Sequence, residues 1–542
     1  MIAHQPATIP PFDLAVIVAY IALILAVGLL SARRSRITGQ VFFLAGRSLA
    51  WPVVGAALFA SNISTIHLVG LTASGYSDGL VWGNFEWMAA FTLVLLSLIF
   101  APFYFQSRIG TLPEFLERRY SPASRSILAV MAILAALFIH IGMSLYAGAV
   151  VFHQFFNLPV ELSVLLIAVI ISIYTIAGGL KAVVMTETLN TCVLLFGICL
   201  ITFFAIRALP THGIHSLAAF RAATRPNQLH VLQTHSSVGL NWYAVFLGYP
   251  VLGIWYWCTD QTIVQRVLGA RSERDAQLGP LFAGYLKFLP MFLLILPGVI
   301  AYVLFKDRIG ADANATLPVL IEQLIPAGLR GIISAAVLAA LMSAVSAAMN
   351  SSGTLLAVDL VKRMRPSLSD AQVVLAGRIS SAIVMVLAIL WSTQGARFSS
   401  IFAAINIIAS DLAPPITTVF LFGVFWKRGT YQASIATLLG GLAMGIAAFL
   451  VDLPVIGNTR LLSDQLGISF LMQAWWMFCL CSLLYIAVSL ATPPPRREAI
   501  EGLTWPNPFA VLTRQPLSGA GDPRIMAAIL LAALITMYAI FH

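Results

Sequence analysis

Charge is what this chain has least of: 10% of its 542 residues are Asp, Glu, Lys or Arg, against 60% hydrophobic. A soluble domain carries roughly 25% charged residues, so this chain lacks the polar surface to meet water on every side. Cysteine is scarce as well. The five, Cys192, Cys199, Cys258, Cys479 and Cys481, sit in or at the edges of apolar segments with no paired metal-type spacing, and are expected to pack as small hydrophobes. The nine histidines show no H-E-x-x-H spacing and no Walker motif is present, which removes the signatures of a zincin enzyme and of an ATP-driven pump. A cleavable leader is not evident either. The first apolar block, Leu14 to Leu30, is too long for a signal h-region and lacks a small-residue cleavage site.

What the chain has instead is long apolar blocks, such as Ile127 to Ile139 and Leu289 to Leu304. About 20 mainly apolar residues match the thickness of a bilayer core. Counting such stretches predicts an all-α polytopic membrane protein with about fourteen spans. They fall at 12–31, 50–74, 81–105, 124–152, 159–177, 183–206, 239–258, 279–305, 328–360, 371–393, 399–425, 430–451, 469–491 and 524–541. Alternate connections are rich in Lys and Arg. They carry Arg33, Arg34 and Arg36; Arg108, Arg118 and Arg119; Arg266, Arg271 and Arg274; Lys362, Arg363 and Arg365; Lys427 and Arg428; Arg496 and Arg497. That alternation makes these connections cytoplasmic and both termini external. It also accounts for the net charge of +10 without nucleic acid, because the basic residues lie between spans rather than in one patch. The connections at 207–238 and 492–523 are too short for a soluble domain, so the whole chain reads as one membrane domain.

Two spans are interrupted. Span two holds the polar stretch Ala60-Ser61-Asn62-Ile63-Ser64-Thr65, and span seven holds Gly248-Tyr249-Pro250 followed by Gly253. Proline cannot donate a backbone hydrogen bond and glycine tolerates unwound geometry. Unwound backbone at this depth survives only when it lines a cavity or is buried in protein. Breaks five spans apart fit an inverted repeat of five plus five helices, 50–206 and 239–425, flanked by an extra helix at 12–31 and extra helices at 430–541. Glycine and proline are also simply common in transmembrane helices, so the matching positions carry the inference.

Glu86, Glu187, Asp260, Lys287 and Asp411 fall inside or at the ends of spans. Such charges must pair or face water. Glu86 and Lys287, of opposite sign, are expected to share a polar cavity, with Tyr256 and Trp257 supplying ring faces beside them. That combination suits a sugar or polyol, which has an apolar CH face and a hydroxylated rim. The competing reading is an ion pair that only joins two helices. Asp260, at the cytoplasmic end of span seven, is expected to be solvated.

Several ordered stretches then resemble a known family: Gly55-Ala-Ala-Leu-Phe-Ala-Ser-Asn-Ile63, His67-Leu-Val-Gly-Leu71, Phe85-Glu-Trp87, Gly178-Gly-Leu180, Trp255-Tyr-Trp-Cys-Thr-Asp-Gln261 with Ile263-Val-Gln-Arg266, Gly284-Tyr-Leu-Lys287, Asn350-Ser351 with Asp359, and Leu412-Ala-Pro-Pro415 with Phe425-Trp-Lys-Arg428. They resemble the sodium/glucose cotransporters of the solute:sodium symporter family, from about residue 12 to 451 and more weakly beyond. The resemblance implies a LeuT-like fold, a plasma-membrane location, and secondary active transport of a sugar by alternating access with Na+ as coupling ion, and no enzyme activity or other cofactor. It puts sugar contacts on Asn62, His67, Glu86, Tyr256, Trp257 and Lys287, with Asn406 in place of a family glutamine and Gly253 where a polar residue is usual. It puts sodium on the carbonyls of Ala60, Ile63 and Ala340 and the hydroxyl of Ser343, while Ala344 stands where a second hydroxyl is expected. Glu187 replaces a family aspartate, and Asp411 stands where the sugar branch has a non-acidic residue. One of these carboxylates could relay an ion or a proton, so coupling to protons, or uncoupled transport or sugar sensing, stays open beside sodium coupling.

Overall fold

The computed structural model describes residues 10–33, 38–156, 158–394, 401–452, 461–505 and 519–542. Arg34 and Arg36, the first residues of the predicted span at 399–425, and part of the 492–523 connection lie outside these. Among the described residues the architecture is helical, with no β-strand beyond two isolated bridges. Among the described residues eleven helices are long and apolar enough to cross a membrane, and one bent pair makes a twelfth. Their outward faces carry large apolar side chains such as Leu165, Phe203, Leu390 and Leu483, each more than two-fifths exposed, as hydrocarbon contact requires.

The first helices are α1 (Pro11–Arg33), the short α2 (Gly39–Leu44), α3 (Trp51–Asn62), α4 (Thr65–Ser77) and α5 (Gly83–Leu95). Next come α6 (Pro122–Ala135), a π-helical turn at Ala136–Gly142, α7 (Met143–Phe156) and the long α8 (Val160–Ala208). The middle of the chain forms α9 (Trp242–Gly253), a π-helical turn at Ile254–Thr259, α10 (Gln261–Leu268), α11 (Glu273–Leu286) and α12 (Leu296–Ile309). The rest comprises α13 (Arg330–Thr354), α14 (Asp370–Ser392), α15 (Ile401–Phe425), α16 (Tyr431–Val451), α17 (Phe470–Ala491) and α18 (Pro523–Ile540). The almost wholly buried α13 is the central post. It packs against α1, α3, α8 and α14.

The count departs from fourteen in two places. The expected spans at 159–177 and 183–206 run together as α8, interrupted only at Gly179, whose φ of 58° and ψ of −153° no helix contains. A Cβ there would also collide with Phe42 of α2. The span expected at 239–258 is divided into α9, its π-helical turn and α10, and is too rich in Trp, Tyr and Gly to stand among the strongly apolar helices.

The break in span two falls where the polar stretch predicts, with α3 and α4 meeting at 63° around extended Ile63 and Ser64. The break in span seven is displaced. The helix runs on through Pro250 and Gly253 and ends at Asp260, whose backbone is extended and whose side chain caps α10 by accepting from Thr262 N at 2.6 Å. The glycines serve packing instead. A Cβ on Gly248 would strike the Leu471 carbonyl of α17, and one on Gly253 would lie 2.7 Å from Thr92 Cγ2 of α5.

Two basic residues read as loop charges are interior. Arg119 is 3% exposed and donates to the carbonyls of Gly423, Trp426 and Gly429, which stitches the 112–119 helix to the end of α15. Arg266 is fully buried in α10. Of the cysteines, Cys258 and Cys481 pack inside as expected, but Cys192 and Cys199 face outward from α8.

Candidate functional site

The site grows from the two interrupted helices. At the first break, Ser64 N donates to His67 Nδ1 at 3.3 Å and Ser64 Oγ lies 3.0 Å from the same nitrogen, so the His67 ring is locked against the start of α4. Accepting at Nδ1 puts the ring proton on Nε2. Asn62, the last residue of α3, donates through Nδ2 to Tyr256 OH at 3.2 Å, which joins the first break to the π-helical turn of the second.

Lys287, just past the end of α11, completes the cluster. Its Nζ donates to Glu86 Oε2 at 2.6 Å and to Asn62 Oδ1, and lies 5.4 Å above the Trp257 ring. Glu86 and Lys287 are 2% and 1% exposed. Burying two ions costs several kcal/mol each before pairing. Their placement against a cavity rather than within a packed core is therefore informative. Glu86 sits in the first turn of α5, where the helix dipole favours a negative charge.

Asn62, His67, Glu86, Tyr256, Trp257, Lys287 and Asn406 all line one cavity between the two breaks. Sequence reasoning missed other groups on its wall. Tyr249, named only for the supposed break, lines the cavity seven residues before Tyr256 and donates to the Phe85 carbonyl at 2.8 Å. An i, i+7 spacing on one helix face was the available signal. His140, on the π-helical turn before α7, bonds Asp260 at 3.1 Å and stacks on Trp255. Asp260 is therefore a buried cap, 7% exposed, and not solvated as expected. A histidine inside an apolar span was the signal for His140.

The residues assigned to sodium lie beside this cavity. Ala60 O is one of the last four carbonyls of α3, which have no intrahelical donor, and the C-terminal end of a helix attracts cations. Thr65 Oγ1 donates to Val337 O at 3.3 Å, which brings the break against α13. Ser343 there accepts from Asn190 Nδ2 at 2.8 Å and donates to Ala339 O at 2.8 Å. Ala344 lines the same cavity.

The two candidate relay residues stand apart. Glu187 is fully buried, accepts from Ser61 Oγ at 3.0 Å and pairs with Arg266. Asp411 is not among the residues that line the cavity. It accepts from Gln473 Nε2 at 3.0 Å, and its Oδ2 is buried with no hydrogen-bond partner among the described residues.

A helical membrane body with two interrupted helices around a polar cavity is the architecture of a transporter. The comparisons agree. The model of the sodium:solute symporter family matches residues 42–441. The chain is 35% identical to a sodium/mannose cotransporter of Bos taurus, over 93% of this chain and 90% of that protein. It is 34% identical to sodium/glucose cotransporter 4 of Danio rerio, over 92% and 81%, and 32% identical to sodium/myo-inositol cotransporter 2 of Oryctolagus cuniculus, over 92% and 79%. Its fold is similar to that of a Na+-coupled sialic acid symporter in a substrate-bound outward-open state, with a TM-score of 0.74 at 19% identity over 90% of this chain and 99% of that one. A nucleobase-cation-symport-1 family transporter, Mhp1, matches at a TM-score of 0.53 and 14% identity over 85% and 97%. The chain belongs to the sodium:solute symporter family. It is a multi-pass membrane protein of a family that couples solute movement to sodium.

Proposed function

We propose that this protein moves a sugar, a glucose- or galactose-like hexose or a related polyol, across the plasma membrane together with Na+ by alternating access. The observation that carries the reading is Lys287 held between Glu86 and Asn62 beside Trp257 on the wall of one buried cavity. An ammonium donates and a carboxylate accepts, which matches neighbouring hydroxyls, and the ring faces of Tyr256 and Trp257 match the CH face of a pyranose or cyclitol. The relatives named for mannose, glucose and myo-inositol all handle polyhydroxylated solutes, which supports the class without choosing a member.

In this reading Asn62, His67, Glu86, Tyr256, Trp257, Lys287 and Asn406 contact the solute, and Ala60, Ile63, Ala340 and Ser343 hold sodium. α8 crosses twice around Gly179, because 49 helical residues would otherwise extend ~74 Å through a core of ~30 Å. With α9 and α10 counted as one broken crossing, the spans number fourteen, both termini are external, and the five-plus-five repeat covers 50–206 and 239–425.

Uptake of a panel of labelled hexoses and inositols into proteoliposomes, under separate sodium and proton gradients, tests this. Sodium-driven accumulation of a panel member is the expected result. Accumulation that follows only the pH gradient would move the coupling to a carboxylate. Equilibration without accumulation would make the protein a facilitator, and currents without solute movement a sensor. Failure of every panel member to bind or move would sink the solute class.

A further inference from the structure

We propose that a groove between α8 and α14 binds an anionic phospholipid, with its acyl chain along the groove and its phosphate at Arg378. The groove encloses about 660 Å³ and is apolar along its length, with Leu165, Val169 and Ile173 from α8 and Val386 and Ile389 from α14 on its walls. The first four are 45–57% exposed, and they lie on helices that qualify as membrane spans, so their neighbour is hydrocarbon.

Arg378 stands at one end, eleven residues before Ile389. At 1.5 Å per residue that is ~16 Å, close to one leaflet of a ~30 Å core. The groove is thus as long as one acyl chain is deep, with its cation at the headgroup end. On the charge-based orientation this is the cytoplasmic leaflet, but the proposal does not depend on that or on the transported solute.

The guanidinium is incompletely used. Among the described residues its one hydrogen bond runs from Nη2 to the Ala177 carbonyl at 3.1 Å, and its Cζ lies 5.6 Å from the centroid of the Phe42 ring. Nε is buried with no acceptor, and no carboxylate pairs with this arginine among the described residues. A guanidinium has five N–H donors in a fork that fits phosphate. A guanidinium beside hydrocarbon with no carboxylate partner among the described residues is costly, and a lipid phosphate supplies the missing acceptor and charge. A zwitterionic headgroup gains less here, since its own ammonium must be placed beside this cation.

The purified full-length protein in detergent is titrated with dioleoyl phosphatidylglycerol, dioleoyl phosphatidylcholine or inorganic phosphate. Thermal unfolding is followed by tryptophan fluorescence and retained lipid is counted by native mass spectrometry. Phosphatidylglycerol should raise the midpoint by several degrees and be retained in preference to phosphatidylcholine. Arg378→Gln should lose both effects and Arg378→Lys should keep part of them. Ala382 also lines the groove, and Ala382→Phe, which fills it and leaves the guanidinium in place, should also lose both. Equal retention of the two lipids by the wild type would overturn the proposal. So would retention of phosphatidylglycerol by Ala382→Phe, which decides the matter if Arg378→Gln does not fold. An equal rise with inorganic phosphate alone would make Arg378 a soluble-anion site and overturn it as well.

Discussion

Arg266 and Glu187 meet fork to carboxylate with no access to solvent, Nη2 2.5 Å from Oε1 and Nε 3.1 Å from Oε2. Ser61 adds a third bond, so the pair ties α10 and α8 to the last turn of α3, beside the first break. Removing one partner of such a pair leaves an uncompensated charge, at about 3–5 kcal/mol. Arg266→Met should therefore destabilise the protein by roughly that amount, and Arg266→Met combined with Glu187→Leu should recover much of it. Unfolding in micelles measures both. A small loss in the single variant would mean that water reaches the pair. Glu187 held this way is poorly placed to release a proton during transport, which favours its structural role.

Lys287 and Glu86 should behave differently, because their pair opens on the cavity. Lys287→Ala or Glu86→Ala is expected to weaken solute binding by at least about 30-fold, the ~2–5 kcal/mol of a truncated buried charge contact, while the protein still inserts. Solute affinity by isothermal titration, with a thermal melt as control for folding, checks this. Unchanged affinity in either variant would reduce the pair to a helix tie.

Gly248 should tolerate no side chain. Its missing Cβ leaves room for the Leu471 backbone, which cannot rotate away as a side chain would. Overpacking of this kind costs ~1–3 kcal/mol, so Gly248→Ala should lower the melting midpoint clearly. Gly440→Ala is the matched control, since only the flexible tip of Leu484 lies near it, at 3.1 Å. Equal effects would show that the α9–α17 approach is looser than it looks.

Those glycines also show how far the sequence could be read. Spans and the first break were legible because long apolar runs and a polar hexad in mid-membrane each have few physical meanings. The second break was misplaced because Gly and Pro have two meanings, unwinding and close approach, and only the neighbouring Leu471 and Thr92 decide between them. The polar cluster was legible as a pair of costly charges needing one wet site. Arg266 was read as a loop cation because nothing local reveals that α10 folds back inside, and the partner that explains it lies 79 positions away. Asp260 was misjudged for the same reason, its partner His140 being 120 positions away.

Ala344 carries the sharpest prediction about coupling. It lies one helical turn beyond Ala340 on α13, so both face the same way. Its neighbour Ser343 spends its proton on Ala339 O and one lone pair on Asn190, leaving a single lone pair for an ion. A sodium site of Ala60, Ile63, Ala340 and Ser343 is thus short of hard oxygen ligands, and the wild type should need high sodium for half-maximal uptake. Ala344→Ser restores a hydroxyl and should lower that concentration by roughly three- to tenfold, since ~1.4 kcal/mol is tenfold in affinity. By linkage, solute affinity at limiting sodium should rise by the same factor, because both ligands favour one conformation. Solute uptake against sodium concentration, at fixed pH, measures the shift. No change in the variant would show that water or another group already completes the shell. If instead uptake ignores sodium and follows a pH gradient, Asp411 is the group to neutralise, because its Oδ2 is buried with no hydrogen-bond partner among the described residues, whereas Glu187 is held by Arg266 and Ser61. Asp411→Asn would then abolish the pH-driven component, and its persistence would remove the last carboxylate candidate.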